Sequence, residues 1–314
     1  MKFKIIVLIA LSILWLQLFA VNDNAGTSGF AFFKLACSAR VSALGGAFTG
    51  LADDLNAVFY NPAGLVRLPS KQVQATYMNY FDGVHCGSAV FAYPRNEKET
   101  YALFTQFLTA SEDRTYADEF GELVETGETF GMSDILIGIS ASRYIISVID
   151  LGINIKFLQE TLDDKSASAV ALDIALLHQT TNEFVKVGIA VKNVGYQLSH
   201  FTSSEYDEKL PMFLSAGISY NPDRKFLAVL DINKPLEHDF YGTFGIEYQL
   251  YDLLDLRAGY KSNASNWRTG GEYEIFSGIS LGLGINWNRM GFDYSLSSYG
   301  DLGLVNQLSL KYNF

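Results

Sequence analysis

Along most of the chain, apolar residues alternate with small or polar residues at every second position. In the clearest run, the apolar residues are Leu281, Leu283, Ile285 and Trp287, and the residues between them are Gly282, Gly284, Asn286 and Asn288. Because successive side chains of a β-strand point to opposite faces, each such segment has one apolar and one polar face. The pattern predicts about fourteen strands of about ten residues, near the length of a tilted membrane-crossing strand. The predicted strands cover 71–80, 85–94, 99–109, 133–143, 147–158, 167–178, 184–194, 211–221, 225–233, 241–250, 253–261, 278–288, 290–298 and 304–314.

Two fold classes use strands of this kind, a transmembrane barrel and a soluble β-sandwich. The polar faces here are rich in Gly, Ser and Asn, and the clear apolar faces carry no charge, which favours the barrel. Short connections also alternate with longer ones at 110–132, 159–166, 195–210, 234–240 and 262–277, although 81–84 and 298–303 are short. We therefore predict an all-β fold, a transmembrane outer-membrane β-barrel of about 14 antiparallel strands over residues 71–314, surrounded by outer-membrane lipid. The sandwich is the competing interpretation.

The last predicted strand carries a further signal. Its apolar face includes Leu308, Leu310, Tyr312 and the terminal Phe314. A terminal Phe that closes an alternating strand resembles the insertion signal read by the barrel assembly machinery. We predict that machinery as a partner during insertion.

The first twenty residues have the layout of a secretory signal peptide. Lys2 and Lys4 precede an apolar run over 5–16, and a small residue follows at Ala20. A spanning helix would need about 20 apolar residues, which this run does not reach. Residues 1–20 are therefore predicted to be cleaved near Ala20, and the mature protein is expected in the cell outer membrane.

Composition narrows the possible partners. The chain has 314 residues, a formal net charge of -11 and only 18% charged residues, against 49% hydrophobic ones. A sequence pI near 4.8 and the lack of a basic stripe argue against nucleic acid as a partner. The abundance of apolar residues excludes a disordered chain.

Residues 21–70 lack sustained alternation and contain turn and capping signals. Asp53 and Asp54 precede a short apolar run and are suited to capping a helical turn. Asn61, Pro62, Ala63 and Gly64 form a turn sequence, because Pro fixes φ and Gly relaxes the last position. The two aspartates are alternatively expected to pair with lumenal cations such as Lys156 or Arg257.

The segment SARVSALGGAFTGLADDLNAVFYNPAGL (38–65) resembles the N-terminal segment of the PorV/PorQ family of FadL-like outer-membrane barrels. Further matches are LDINKP (230–235), DLLDLRAGYKS (252–262) and YGDLG (299–303). The resemblance implies a fourteen-stranded barrel in which residues 21–70 form a lumenal plug, or hatch, with the plug motif at Asp53, Asp54, Asn61, Pro62, Ala63 and Gly64. It also implies an accessory role that docks with envelope proteins of a secretion system. The alternative is a FadL-like transporter for a hydrophobic, fatty-acid-like ligand.

The sequence motifs that could carry catalysis or bind a metal favour a non-enzymatic protein without cofactor or metal. The sequence from Gly278 to Gly282 matches the G-x-S-x-G pattern, but it lies in a strand and not at a strand–helix turn. The acidic stretch 110–132 is either a solvated outer loop or a set of oxygen ligands for Ca²⁺. Cys37 and Cys86 are either two independent thiols or a disulfide formed in an oxidising periplasm.

Overall fold

The computed structural model describes residues 28–314, except 36, 82, 147, 203–207, 224 and 268–269. The side chains of 265–267 are also outside the description. The predicted signal peptide and residues 21–27 of the predicted plug lie outside the described residues. Among the residues that are described, no helix has the length and apolar character needed to cross a membrane.

Fourteen strands form one closed antiparallel barrel in which each strand pairs with its neighbours in sequence. Their bounds are Gln72–Asn79 (β1), His85–Asn96 (β2), Glu99–Ala117 (β3), Leu123–Ile146 (β4), Ile149–Leu162 (β5), Lys165–Gln179 (β6), Val185–Ser199 (β7), Phe213–Tyr220 (β8), Phe226–Pro235 (β9), Tyr241–Tyr251 (β10), Leu254–Lys261 (β11), Ile279–Trp287 (β12), Met290–Ser298 (β13) and Leu304–Asn313 (β14). The barrel closes where β1 pairs with β14, with Gln72 opposite Asn313 and Asn79 opposite Asn306. Closure leaves no free strand edge, which a sheet in lipid requires.

The alternation in the sequence corresponds to the two sides of this wall. On β12, Leu281, Leu283 and Ile285 are 55%, 46% and 45% exposed, whereas Gly282 and Gly284 are buried. Large apolar side chains therefore face outward and small ones face the lumen, the reverse of a soluble sandwich. The barrel prediction is confirmed and the sandwich is excluded.

This arrangement predicts opposite effects for two neighbouring substitutions. Ile285→Arg places a charge against lipid near the periplasmic end of β12, where Ile285 pairs with Leu254. We therefore expect it to lower the stability of the inserted barrel, by less than the about 2–4 kcal/mol that an arginine costs at midplane depth. Asn286→Arg should be tolerated, because this side chain faces the lumen and donates to Asp255 at 2.8 Å. Heat-modifiable electrophoretic mobility after insertion into vesicles measures the folded fraction. Equal losses in the two variants would reverse the assignment of faces.

The two ends of the barrel differ in their connections. Short links at 97–98, 252–253 and 288–289 lie at one end, and the longer connections 200–212 and 262–278 lie at the other. The longer connection expected at 159–166 is wrong, because β5 and β6 are joined there by the two-residue turn 163–164. In outer-membrane barrels the short turns are periplasmic and the long loops extracellular. We therefore refer to the periplasmic end and the outer end.

The expectation of a loop over 110–132 is wrong. β3 has 19 residues and β4 has 24, and the two pair as far as Ala117 and Leu123. The stretch is thus a β-hairpin that extends beyond the outer end and turns at 118–122. Within the described part of the chain, no group of three or more His, Cys, Asp or Glu residues could hold a metal ion, so the Ca²⁺ alternative has no site.

The described residues before β1 lie inside the barrel. Residues 28–71, here called the inner segment, contain helices at Ala39–Ala43 and Ala57–Tyr60 and 3-10 helices at Ala31–Lys34 and Pro62–Arg67. Most side chains between 37 and 68 are buried. The inner segment contacts β4, β5 and β6 on one side and β11 to β14 on the other.

Some wall residues depart from the simple alternation because they face this segment. Phe104, Leu108 and Leu177 are apolar residues on the lumenal face, and they are 1%, 4% and 0% exposed. Phe104 packs edge-on against Phe59 of the inner segment, with ring centroids 5.5 Å apart. The lumen therefore contains its own apolar core. This core explains why apolar residues interrupt the otherwise polar lumenal face of β3 and β6.

Candidate functional site

Asn61 fixes the Asn-Pro-Ala-Gly turn to the barrel wall. Its side chain accepts a hydrogen bond from the Ala63 N–H at 3.1 Å and so caps the 3-10 helix that begins at Pro62. The same side chain donates to the Thr49 carbonyl at 2.7 Å and to the Leu176 carbonyl of β6 at 3.1 Å. The turn is thus held by its own segment and by the wall.

The small residues of this turn allow close approach of two backbones. Ser142 of β4 donates to the Ala63 carbonyl at 2.8 Å and accepts from the Val66 N–H at 3.1 Å. Gly152 of β5 lies so close to the backbone of Pro62 and Ala63 that a side chain there would overlap it. Glycines on the lumenal faces of β7, β8, β10 and β11 meet the inner segment in the same way; they are Gly188, Gly217, Gly245 and Gly259.

Asp53 and Asp54 pair with Arg40, a residue that the sequence screen did not single out. Arg40 Nη1 lies 2.6 Å from Asp53 Oδ1 and 2.7 Å from Asp54 Oδ2. Its Nε and Nη2 donate to both oxygens of Glu247 on β10, at 2.9 and 3.0 Å. Arg40 thus joins two carboxylates of the inner segment to one on the wall.

The expected pairing of the two aspartates with Lys156 or Arg257 is not the one found. Arg257 instead pairs with Glu247, the carboxylate that Arg40 also binds, and its Nε lies 2.5 Å from Glu247 Oε2. Lys156 pairs with Asp173 at 2.6 Å instead. Asp54 Oδ1 also accepts from the backbone and side-chain nitrogens of Asn56, the N-cap residue of Ala57–Tyr60, so the aspartate stabilises the start of that helix indirectly.

Residues of the sequence motifs contact the inner segment. Asp231, in LDINKP, accepts from the backbone N–H groups of Phe48 and Thr49, both at 2.8 Å. Arg257, in DLLDLRAGYKS, belongs to the ionic network around Glu247. These contacts give both motifs a physical role. Charge on the lumenal face of a predicted spanning strand is the signal that could have identified Asp231 and Glu247 as functional candidates.

Cys37 and Cys86 are bonded as a disulfide. The bond joins the inner segment to the first residues of β2 at the outer end. Ser88, two residues further along β2, donates to the Cys37 carbonyl at 3.0 Å. The alternative of two independent thiols is therefore not the arrangement found.

The terminal residues of the predicted insertion signal face outward. Leu310, Tyr312 and Phe314 are 50%, 37% and 58% exposed, and Leu308 is half-buried. The Phe314 N–H donates to the Lys71 carbonyl at 3.0 Å, just before β1. Recognition of these residues by the assembly machinery stays a prediction.

A cavity of about 430 Å³, the outer cavity, lies between the inner segment and the outer half of the wall. Its floor includes Gly46, Thr49 and Tyr60 of the inner segment. The aromatic residues that line it are Phe33, Phe59, Tyr60, Tyr80, Phe104, Phe213, Tyr241 and Tyr299. This combination of rings and an enclosed volume suits a small hydrophobic molecule.

A second cavity of about 290 Å³, the periplasmic cavity, lies on the other side of the inner segment. Arg40, Asp53 and Asp54 line it together with Glu247 and Arg257. The two cavities share no lining residue. The inner segment therefore separates the outer cavity, which is lined by many aromatic rings, from the periplasmic cavity, which is lined largely by charged side chains.

The G-x-S-x-G pattern has no catalytic setting. Ser280 lies on β12, and its hydroxyl donates to the Ser297 hydroxyl of β13 at 3.0 Å. The serine lies within a regular strand, as the sequence predicted, and its hydrogen bond joins two wall strands. It is not at the strained turn that exposes a nucleophile.

Comparisons with known proteins identify the fold. No family model matches the sequence, and no curated protein matches it. Among solved structures, the "CymD monoaromatic hydrocarbon channel" is similar with a TM-score of 0.60 and 12% identity, over 89% of this chain and 98% of that one. The Pseudomonas putida toluene transporter TodX is similar with a TM-score of 0.58 and 12% identity, over 87% of this chain and 97% of that one.

A TodX variant described as a monoaromatic hydrocarbon channel has a TM-score of 0.60 and 10% identity, over 83% of this chain and 95% of that one. These likenesses support the FadL-like part of the sequence resemblance, and they leave the PorV/PorQ assignment unconfirmed. The structural neighbours are channels and not enzymes. The chain shares the fold of these channels, an outer-membrane β-barrel closed by fourteen antiparallel strands.

Proposed function

We propose that this protein is a non-enzymatic channel that passes small hydrophobic molecules across the outer membrane. The observation that supports this most is the aromatic outer cavity, whose floor is formed by the inner segment. The neighbours CymD and TodX are a hydrocarbon channel and a toluene transporter by name. Of the two functions that the sequence suggests, these observations favour the transporter.

In this proposal the inner segment is the hatch, and the ligand rests on it before passage. A molecule enters from the outer end, replaces water against the rings, and leaves after the hatch shifts. Hydrogen bonds from Phe48 and Thr49 to Asp231, and ion pairs of Arg40, hold the hatch closed. Thr49 and Arg40 line the two cavities, so water can replace these hydrogen bonds and ion pairs when the groups part.

A second disulfide tests whether the hatch must move. The Thr49 and Ser215 hydroxyl oxygens lie 3.1 Å apart, one on the inner segment and one on β8, so Thr49→Cys with Ser215→Cys should form a bridge. We expect the oxidised variant to lose uptake of a labelled hydrocarbon such as naphthalene in cells, and to regain it on reduction.

The matched control joins two wall strands. Ser280→Cys with Ser297→Cys links β12 to β13, whose hydroxyls are 3.0 Å apart, without touching the hatch. This variant should retain uptake, and reductant alone should be tested on the unmodified protein. Full uptake by the locked variant would rule out hatch movement, and equal uptake by cells without the protein would rule out the channel.

A second candidate function is docking with secretion-system envelope proteins, as the PorV/PorQ resemblance implies. One observation favours it: the β3–β4 hairpin exposes Tyr116, Phe120 and Leu123, with Phe120 89% exposed. The connection 200–212 also carries two aromatic residues suited to docking by their type. Phe201 packs partly buried against the lumenal core, and Tyr206 lies outside the described residues. Deleting 112–129 should leave uptake unchanged and abolish partner capture by cross-linking in cells if docking is the function.

A further inference from the structure

The outer cavity has the opposite charge to the protein as a whole. Its described lining includes four lysines, Lys34, Lys156, Lys192 and Lys261, against two carboxylates, Asp173 and Glu237. The lining therefore carries two formal positive charges in excess, in a chain whose net charge is -11. A cavity for neutral hydrocarbons alone has no need of ammonium groups, because enclosing a charge is costly.

Lys192 differs from two of these cations because it has no ion-pair partner among the described residues. Lys34 pairs with Glu237 at 2.6 Å, and Lys156 pairs with Asp173 at 2.6 Å. Lys192 Nζ donates to the Phe59 carbonyl at 3.2 Å. Among the described residues, no carboxylate lies within salt-bridge distance of it. An ammonium in such a place gains electrostatic energy from an anion brought into the cavity.

The ring of Tyr60 lies beside this ammonium. The Lys192 Nζ lies 5.2 Å from the centroid of the Tyr60 ring. The Tyr60 hydroxyl is buried, and no hydrogen-bond partner for it is found among the described residues. Burial raises the pKa of Tyr60, so the group keeps its proton at neutral pH and remains a donor. A buried donor without a partner is costly, and a ligand acceptor would satisfy it.

An aromatic ring lies beside each of three ammonium groups. Lys192 is 4.6 Å from the centroid of Phe213, Lys156 is 4.9 Å from that of Phe33, and Lys261 is 5.3 Å from that of Tyr241. A flat ligand can therefore stack on a ring while an acidic group reaches the neighbouring cation. An alkyl chain would fill the volume but could not stack.

We propose that the preferred ligand of the outer cavity is an aromatic carboxylate, whose oxygens are bound by Lys192 and Tyr60 and whose ring stacks against the aromatic lining. The proposal rests on the channel function and names its substrate class. It assigns specificity to two side chains, one of the wall and one of the hatch. A ligand bound to both would connect entry into the cavity with the position of the hatch.

Isothermal titration calorimetry on the whole detergent-solubilised barrel tests this with 2-naphthoate, naphthalene and decanoate. We expect 2-naphthoate to bind at least about tenfold tighter than naphthalene, and tighter than decanoate.

Lys192→Met should remove most of the preference for 2-naphthoate over naphthalene while naphthalene affinity stays the same. Tyr60→Phe, which removes only an oxygen, should weaken 2-naphthoate binding roughly tenfold. Lys311→Met is the matched control, because Lys311 lines the periplasmic cavity.

The outcomes separate the substrate class from the channel function. Naphthalene binding without a preference for 2-naphthoate would overturn the carboxylate proposal and leave the channel intact. Tighter binding of decanoate would overturn its aromatic part. Binding of none of the three would contradict the channel function as well. Unchanged 2-naphthoate affinity in both Lys192→Met and Tyr60→Phe, each shown to be folded, would mean that neither side chain binds the carboxylate.

Discussion

Arg40→Met should loosen the contact of the inner segment with the wall while the barrel itself stays folded. Arg40 is 12% exposed in its side chain and bridges Asp53 and Asp54 to Glu247. Removing one partner from a largely buried ionic cluster leaves uncompensated carboxylates, at a cost of about 3–5 kcal/mol. The wall strands are joined by backbone hydrogen bonds that do not involve Arg40, so the loss should be confined to the inner segment.

Hydrogen exchange measures this effect segment by segment. Amides of 38–68 should exchange faster in Arg40→Met, whereas those of β2 to β6 should keep their protection. Arg95→Met is the control, because Arg95 is 61% exposed and its 3.5 Å ion pair with Glu99 contributes at most about 1 kcal/mol. Wild-type protection of 38–68 in Arg40→Met would show that the ionic cluster does not hold the inner segment against the wall.

Loss of the Cys37–Cys86 disulfide should lower the stability of the folded protein. The bond closes a loop with a sequence separation of 49, and the chain-entropy model gives about 4 kcal/mol for a loop of this size. Cys37→Ser with Cys86→Ser should therefore unfold at a lower temperature than the oxidised wild type. The temperature at which heat-modified mobility appears on non-reducing gels is the measurement.

Reduction supplies the control for this experiment. Reductant should lower the unfolding temperature of the wild type to that of the double variant, and it should leave the double variant unchanged. Detection of two free thiols in the untreated wild type by mass spectrometry would contradict the bonded arrangement. So would a wild type whose unfolding temperature does not respond to reductant.

Local periodicity was enough to predict the barrel wall, because lipid on one side and the lumen on the other impose opposite demands on alternate residues. The predicted strands 290–298 and 304–314 differ little from Met290–Ser298 and Leu304–Asn313. The same reasoning failed for 110–132. There β3 and β4 project beyond the membrane and both faces are exposed, so nothing requires an apolar face.

Contacts within the lumen could not be predicted in the same way. Arg40 and Glu247 are 207 positions apart in the sequence. No local pattern specifies which cation of the inner segment will face which carboxylate of the barrel wall. The aspartates of the plug motif were identified, but their partner was not. The outer cavity depends on Phe104 and Leu136, apolar residues on a face that is otherwise polar, and only the packing of the inner segment explains them.

The inner segment also bears on the order in which the molecule can be assembled. Near its start it is bonded to the second strand through Cys86, and the next backbone N–H groups, those of Ser38 and Ala39, donate to Gln307 and Ser309 of the last strand. The joint between β1 and β14 is thus bridged from within by residues 37–39 of the inner segment. Because these bonds reach both β2 and β14, the inner segment can form all of them only when the two strands stand on either side of β1. Closure of the barrel and placement of the inner segment are therefore coupled.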